Sequence, residues 1–199
     1  MTPKKILIIS NKPSCFVKGD IRILSSVYTV KTYFIYANGS FSDLFKYFKF
    51  LFYLIRNVRK FKLYYCWFAD YYTIIVTLFA KIFNRKTIIV LGGYDVVKDK
   101  KLRYGGHIKK IRSLSIKWSS TLADLLLPVS NYTLKLALKN ISPKIKSKSK
   151  IVYNGVDTSF YTYEKHSKRD FDFLTVATLN TEARARIKNF QLYVNLARK

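Results

Sequence analysis

The stretch Leu63–Asp95, LYYCWFADYYTIIVTLFAKIFNRKTIIVLGGYD, decides how this 199-residue chain folds. Its first part, Leu63–Ala80, is apolar and long enough to cross a bilayer. Asp70 lies near the middle of that part, and a carboxylate there costs about 2.5–3.5 kcal/mol to insert. We therefore predict that the stretch forms a strand, a helix and a second strand, over Leu63–Phe68, Tyr71–Phe83 and Thr87–Leu91.

The same alternation extends in both directions from this stretch. Further apolar runs that fit strands are Lys4–Ser10, Val30–Tyr36, Leu127–Val129 and Ile151–Tyr153. Helices are predicted between the strands over Phe16–Ser26, Phe41–Lys60, Trp118–Leu126 and Ser130–Lys139. Strands that alternate with helices predict an α/β fold, with a Rossmann-like parallel sheet and helices on both of its faces.

A parallel sheet of this kind binds ligands beyond the carboxyl ends of its strands. The sequence therefore predicts a binding edge made of the segments that follow the strands. These segments are Asn11–Gly19, Ala69-Asp70, Gly92–Asp95, Ser130 and Asn154–Asp157. Asp70 and Ser130 also suit the N-caps of the helices that follow them, because their side chains accept hydrogen bonds from early backbone N–H groups.

The Phe41–Lys60 helix has two interpretations, and both are kept open. In the first, apolar side chains at three- and four-residue steps face the core. These side chains are Phe41, Leu44, Phe45, Phe48, Leu51, Phe52, Ile55 and Val58, and the apolar face is widened by Tyr47, Phe50 and Leu54. In the second, the helix contacts a membrane surface, with Lys and Arg on anionic headgroups and aromatic rings in the interface.

The charge of the chain is strongly one-sided. It has 37 Lys and Arg against 11 Asp and Glu, a formal net charge of +26, which attracts phosphate groups of a nucleotide, a lipid or a nucleic acid. The basic residues are spread along the chain, and no helix-turn-helix, zinc-finger or RNA-recognition pattern occurs. We therefore expect no specific nucleic-acid partner. A non-catalytic basic half-protein that binds an anionic membrane or nucleic acid is the alternative function.

The cysteines and histidines are too few for a disulfide framework or a metal site. Cys15 and Cys66 are far apart in the sequence and lack metal-ligand spacing. His107 follows Gly105-Gly106 in a basic loop, where we expect it to be exposed. The first apolar run is too short for a signal peptide. These observations predict a reducing, cytoplasmic location.

The character of the sequence changes after Asp157. A polar segment leads to a predicted strand over Phe171–Val176, a charged loop over Asn180–Arg186 and a helix over Ile187–Arg198. One strand and one helix cannot bury their own faces, so they predict the beginning of an incomplete second domain. We therefore divide the chain into an N-terminal domain, residues 1–160, and a C-terminal part, residues 161–199.

Three segments carry a family resemblance. They are LLPVSNYTLKLAL at 126–138, KIVYNGVDTSFY at 150–161 and FLTVATLNTEARARIKNFQLYVNLA at 173–197. In this order and spacing they resemble the glycosyltransferase family 4 group of the GT-B fold, in which two Rossmann-like domains face each other across a cleft. The NGVD motif resembles the crossing between the two domains, where we expect Gly155 to permit the backbone angles needed.

This resemblance implies transfer of a sugar from a nucleotide-sugar to an acceptor hydroxyl, in surface glycan or glycolipid assembly. It implies no metal and no cofactor beyond the nucleotide-sugar, a sugar or lipid-linked acceptor, and a peripheral place on the inner face of the membrane. Asp95 is implied as the catalytic residue that orients a hydroxyl. The implied substrate-binding residues are Gly92, Gly93, Tyr94, Ser130, Asn154 and Gly155, and the implied donor-phosphate residues are Arg186 and Lys188.

The chain departs from the family pattern at several positions. The turn after the first strand contains only Gly19, Gly92 stands where many members have His, and Thr178 stands where an Arg is usual. Arg184 or Arg186 is then a replacement for that Arg. The paired glutamates that bind the donor in the family fall past Lys199, so we expect this chain alone to be inactive.

Overall fold

The computed structural model describes residues 5–37, 43–156, 158–159, 175–177 and 182–198. The chain forms two units. The first unit comprises Met1–Lys98 and Gly105–Asn154, and the second comprises Asp99–Tyr104 and Gly155–Lys199. The domain limits predicted from the sequence, at residues 160 and 161, stay a prediction.

The first unit is an α/β sheet domain, as the sequence predicts. Its elements are β1 (Lys5–Ser10), α1 (Cys15–Ser25), β2 (Thr29–Phe34), α2 (Leu44–Arg56), β3 (Leu63–Trp67), α3 (Tyr71–Ile82), β4 (Lys86–Leu91), α4 (Lys110–Leu122), β5 (Leu125–Pro128) and α5 (Asn131–Asn140). All neighbouring strands are parallel, in the order β2-β1-β3-β4-β5. The chain places β2 on one side of β1 and then β3 on the other side. Sheets of this kind open a crevice at such a point, here between β1 and β3.

The core lies on both faces of the sheet because successive strand side chains point to opposite faces. On one face, alternate side chains such as Leu7, Tyr64 and Ile89 pack with apolar residues of α2, α3, α4 and α5. On the other face, Ile8 and Tyr65 pack with residues of α1. Continuous apolar strands such as β1 therefore suit a sheet covered on two sides.

The core-facing prediction for α2 is wrong for most of its residues. Phe50 and Leu54 are the buried residues of the helix, and they belong to the set that widened the predicted face. Leu51 and Val58 pack partly against the core, whereas Leu44, Phe45, Phe48, Phe52 and Ile55 are exposed. Phe41 lies outside the described residues. Because α2 is apolar on most of its circumference, periodicity alone does not identify the side that meets the sheet.

Three other elements between Lys110 and Tyr153 differ from the prediction. The helix predicted over Trp118–Leu126 begins earlier, at Lys110, and its predicted end belongs to β5. Pro143–Lys148, which lies between the predicted Ser130–Lys139 helix and the predicted Ile151–Tyr153 strand, is a 3₁₀ helix with Ile145 buried. Residues 151–153 form no strand, although the N–H groups of Lys150 and Val152 donate to carbonyls of β5 at 2.9 and 3.1 Å.

The second unit contains short elements in its described residues. Asp99 and Tyr104 form an antiparallel bridge, and two helices follow later, α6 (Glu182–Ile187) and α7 (Phe190–Ala197). The α6 helix replaces a predicted charged loop, and α7 lies inside the predicted final helix. Of the predicted strand over 171–176, residues 171–174 lie outside the described residues and Thr175 and Val176 are not in a strand.

Two expectations on single segments have clear outcomes. Among the described residues, no helix has the length and apolar character to cross a bilayer, and Leu63–Ala80 divides at Asp70 into β3 and α3. Gly155 does not adopt a positive φ, and among the described residues, its two chain neighbours aside, no atom lies within 4 Å of the place where its Cβ would stand. The prediction that Gly155 supplies special backbone angles is therefore wrong.

Gly105 is the glycine on which the loop before α4 depends. Its φ is +112°, and a Cβ would lie 2.1 Å from the Val97 carbonyl oxygen. We expect Gly105→Ala to lower the free energy of unfolding by at least about 2 kcal/mol. Gly155→Ala, the matched control, should change it by less than about 0.5 kcal/mol. Urea unfolding measures both, and equal effects would contradict the assignment.

Candidate functional site

The candidate site lies at the carboxyl ends of β3, β4 and β5. Because these strands are parallel, the segments that follow them share one edge of the sheet. The segments are Phe68–Asp70 after β3, Gly92–Asp95 after β4 and Val129-Ser130 after β5. The α3 and α5 helices begin directly after two of these segments, so their N-terminal ends also belong to this edge.

The Asp95 carboxylate joins the loop after β3 to the loop after β4. It accepts hydrogen bonds from the backbone N–H groups of Ala69 at 3.1 Å, Gly92 at 3.3 Å and Gly93 at 2.8 Å. The residue is fully buried, and burial raises the pKa of Asp95 to about 6 even though these N–H groups favour the ionised form. Asp95 therefore lies beneath the glycine loop and holds its shape.

The two glycines of this loop have separate reasons to be glycine. A Cβ on Gly92 would lie 2.1 Å from the Phe68 ring, so the loops approach each other too closely for a side chain. Gly93 has a φ of +127°, which L side chains rarely adopt. Tyr94 follows with 39% of its surface exposed, and it is the one residue of Gly92–Asp95 that is exposed.

Arg112 of α4 connects the glycine loop to α3. Its Nε lies 3.0 Å from Asp70 Oδ1 in an ion pair, and its Nη1 donates to the Tyr94 hydroxyl at 3.0 Å. The guanidinium also lies over the Tyr71 ring, 4.9 Å from the centroid. Burial alone would lower the pKa of Arg112, but Asp70 and the tyrosines outweigh burial and raise it. The guanidinium is thereby held between the N-terminal end of α3 and the glycine loop, with 14% of the Arg112 side chain exposed.

Asp70 and Ser130 have the capping roles that the sequence predicts. The Asp70 carboxylate accepts from the Tyr71 N–H at 2.8 Å, and the Thr73 hydroxyl accepts from the Asp70 N–H at 2.9 Å. The Ser130 hydroxyl accepts from the Thr133 N–H at 3.0 Å. Both caps fix where their helices begin, and therefore fix the helix N-termini at the strand ends.

His107 is buried, so the expectation that it is exposed is wrong. Its Nδ1 is 2.8 Å from the Ser113 hydroxyl, and its backbone N–H donates to the Val97 carbonyl. Burial, with the charges of Lys117 and Lys98, lowers the pKa of His107 to about 4. Gly105 and Gly106 precede His107, and Gly105 has a φ of +112°. This turn brings the His107 ring into the interior beneath the glycine loop.

The remaining predicted site residues lie elsewhere along the chain. Asn154 and Gly155 are exposed at the end of the first unit and the beginning of the second. In the second unit, the Arg186 guanidinium pairs with Glu182 at 2.5 Å, and Lys188 is exposed in the turn between α6 and α7. Their roles toward a nucleotide-sugar stay predictions.

The first unit thus brings the predicted Gly92, Gly93, Tyr94 and Asp95 together with Arg112. Sequence reasoning missed Arg112 because it stands in a basic stretch, Lys98–Lys117, in which its charge is not distinctive. No local motif identifies it. It becomes notable only because α4 packs on α3 and thereby meets the Asp70 cap.

The fold is shared with solved structures, of which one contains UDP and one is a UDP-GlcNAc 2-epimerase. MnaA from S. aureus, solved with UDP, has a TM-score of 0.51 and 16% identity, over 84% of this chain and 48% of that one. UDP-GlcNAc 2-epimerase from Methanocaldococcus jannaschii has a TM-score of 0.51 and 12% identity, over 76% of this chain and 45% of that one.

This chain spans about half the length of these two structures. No protein-family model matches the sequence, and no curated protein matches it. At such low identity the likeness shows the fold, a Rossmann-like parallel sheet flanked by helices. Membership of glycosyltransferase family 4 stays a prediction.

Two buried groups beneath the glycine loop give opposite pH dependences. Native His107, with a pKa of about 4 against 6.5, binds fewer protons than the unfolded chain between these values, so acidification destabilises the protein through it. Native Asp95, with a pKa of about 6 against 3.8, binds more protons, so acidification stabilises the protein through it.

We therefore expect His107→Asn to change how the free energy of unfolding depends on pH. Asn keeps a polar group for Ser113 but does not titrate, so the destabilising contribution of His107 is removed and the stabilising contribution of Asp95 is kept. From about pH 7 to about pH 5, the free energy of unfolding of the variant should rise relative to that of the wild type. Urea unfolding at both pH values measures this difference, and parallel curves for the two proteins would refute it.

Proposed function

We propose that this protein takes part in sugar transfer from a nucleotide-sugar to an acceptor hydroxyl, in the assembly of a surface glycan or glycolipid. The observation that carries the proposal is the edge where the glycine loop meets Arg112, on a fold shared with nucleotide-sugar proteins. The resemblance of the three sequence segments to glycosyltransferase family 4 supports the choice of transfer as the reaction.

In the proposed reaction, the acceptor oxygen forms a bond to the anomeric carbon of the sugar. The bond from that carbon to the diphosphate oxygen breaks, and the nucleoside diphosphate leaves with the electron pair. The acceptor hydroxyl gives its proton to the departing diphosphate. The protein accelerates this step by holding the two substrates together and by neutralising the leaving diphosphate.

The described geometry favours particular roles within this proposal. The family resemblance implies Asp95 as the catalytic residue, but its buried carboxylate suits a positioning role beneath Gly92 and Gly93. We propose that Tyr94 contacts the acceptor side of the reaction because it is exposed, and that Arg112 positions Tyr94 by donating to its hydroxyl. Ser130 contributes through the N-terminus of α5 that it caps.

The other substrate contacts are proposed from the resemblance alone. Asn154 and Gly155 would contact substrate near the domain crossing, and Arg186 and Lys188 would contact the donor diphosphate. Lys188 suits this role better in the described conformation, because Arg186 already pairs with Glu182. The nucleotide-sugar serves as co-substrate, the acceptor is a sugar or a lipid-linked sugar, and the site of action is the inner face of the membrane.

A second candidate reaction is epimerisation, which the name of the Methanocaldococcus jannaschii structure suggests. It differs from transfer in where the sugar ends. After epimerisation the sugar is still attached to UDP, whereas transfer moves it to the acceptor and releases UDP.

The test uses the protein at its natural length with UDP-GlcNAc labelled in the sugar ring and a lipid extract as the acceptor source. Transfer predicts label in the lipid or glycan fraction and an equal amount of released UDP. Label that remains on UDP in an altered sugar would replace the proposal with epimerisation. If panels of uridine, guanosine and adenosine diphosphate sugars give neither product, the proposal is refuted.

Substitution of Arg112 tests the proposed site directly. Arg112→Gln removes a charge-assisted contact of about 1.5–3 kcal/mol, so we expect kcat/KM to fall by at least roughly tenfold. Lys144→Gln removes an exposed charge from the 3₁₀ helix and should leave kcat/KM within about twofold. Equal rates for the two variants would contradict the role of Arg112.

A further inference from the structure

Three neighbouring helices expose apolar side chains on the side that faces away from the sheet. The α2, α3 and α4 helices all bury one side on the same face of the sheet, and α3 packs against both α2 and α4. Their opposite sides therefore point outward together. We call the outward sides of these three helices the outer helical surface.

The outer helical surface is rich in large apolar groups. On α2, Phe45, Phe48 and Phe52 are exposed by 76%, 61% and 63%. On α4, Ile111, Leu114 and Trp118 are exposed at three- and four-residue steps, which align them as one stripe. Leu78 and Ile82 continue the surface across α3.

The charges on these helices are all positive. None of the residues of α2, α3 or α4 is Asp or Glu. On α2, Lys49 and Arg56 are exposed beside the phenylalanines, and on α4, Lys110 and Lys117 are exposed beside the Ile111 stripe. Exposed aromatic rings bordered by basic side chains are the combination that binds an anionic lipid surface.

We propose that the outer helical surface docks the protein onto an anionic bilayer. The lysines and Arg56 contact lipid phosphates, and the rings of α2 and Trp118 enter the boundary between headgroups and acyl chains. The helices lie on the membrane, since no helix among the described residues is long and apolar enough to span it. This proposal does not depend on sugar transfer.

Charge favours lipid over a second copy of the chain as the occupant of this surface. A symmetric dimer through the same surface would bring Lys49 and Arg56 of one copy toward the same basic residues of the other. With a net charge of +26, such self-association is opposed by repulsion. Anionic lipid instead offers opposite charge together with an apolar layer.

Vesicle co-sedimentation of the full chain tests the proposal. We expect binding to vesicles of phosphatidylglycerol and phosphatidylcholine at low salt, at least roughly tenfold weaker binding to pure phosphatidylcholine, and release at high salt. Phe45→Ser/Phe48→Ser/Phe52→Ser should weaken binding by at least roughly tenfold. The control Ile23→Ser/Val27→Ser, which alters exposed apolar groups on and after α1, should not.

A charge-matched pair separates this surface from the general basicity of the protein. Lys49→Gln/Arg56→Gln should weaken vesicle binding by roughly tenfold or more, because each basic group near the surface contributes. Lys144→Gln/Lys146→Gln removes the same charge from exposed positions on the 3₁₀ helix and should have less than about a threefold effect. Equal effects of the two pairs would overturn the proposal.

Tryptophan fluorescence locates the contact. The chain has two tryptophans, of which Trp67 is buried and Trp118 is 58% exposed on the outer helical surface. Vesicles should therefore shift the emission to the blue, and Trp118→Phe should abolish the shift while binding persists. The proposal is overturned if the protein does not bind the vesicles, or if it binds them without the blue shift. It is also overturned if the protein does not bind vesicles but forms a dimer that Phe45→Ser/Phe48→Ser/Phe52→Ser separates into monomers.

Discussion

The geometry of the strand ends depends on one buried carboxylate. Asp95 binds backbone N–H groups from the loop after β3 and the loop after β4, and these hydrogen bonds keep the two loops in contact. Burial of an ionised carboxylate costs several kcal/mol unless hydrogen bonds compensate, which is why its pKa rises even with three donors. The close approach of Gly92 to Phe68 and the exposure of Tyr94 both follow from this contact.

Several acidic residues of the first unit hold its strands, loops and helix ends together. Asp20 accepts from the Tyr65 hydroxyl and the Trp67 indole at 2.6 and 2.8 Å, and Asp124 accepts from the Thr87 N–H at 2.9 Å. Asp70 caps α3 and pairs with Arg112. Asp124 also pairs with the exposed Lys81 and Lys86, whereas the α2, α3 and α4 helices themselves contain no carboxylate beside their basic residues.

The α2 helix leaves large apolar side chains exposed to water, which does not stabilise the fold. Burial of a phenylalanine side chain contributes about 1.5–3 kcal/mol, and α2 leaves Phe45, Phe48 and Phe52 largely in water. The helix already has enough apolar surface in Phe50 and Leu54, with Tyr33 and Tyr53 beside them, to attach it to the sheet. The outward rings take no part in this contact with the sheet, and exposed basic residues stand beside them.

The sequence by itself determined the α/β alternation, the parallel strands β1 to β5, and the caps Asp70 and Ser130, because these features depend on short-range patterns and local hydrogen bonds. The tertiary structure alone decided which side of α2 is buried, that α4 begins as early as Lys110, that His107 turns inward, and that Arg112 meets Asp70 and Tyr94. Each of these depends on contacts between segments distant in the chain, and a helix apolar on most sides or an arginine among many basic residues carries no local signal of them.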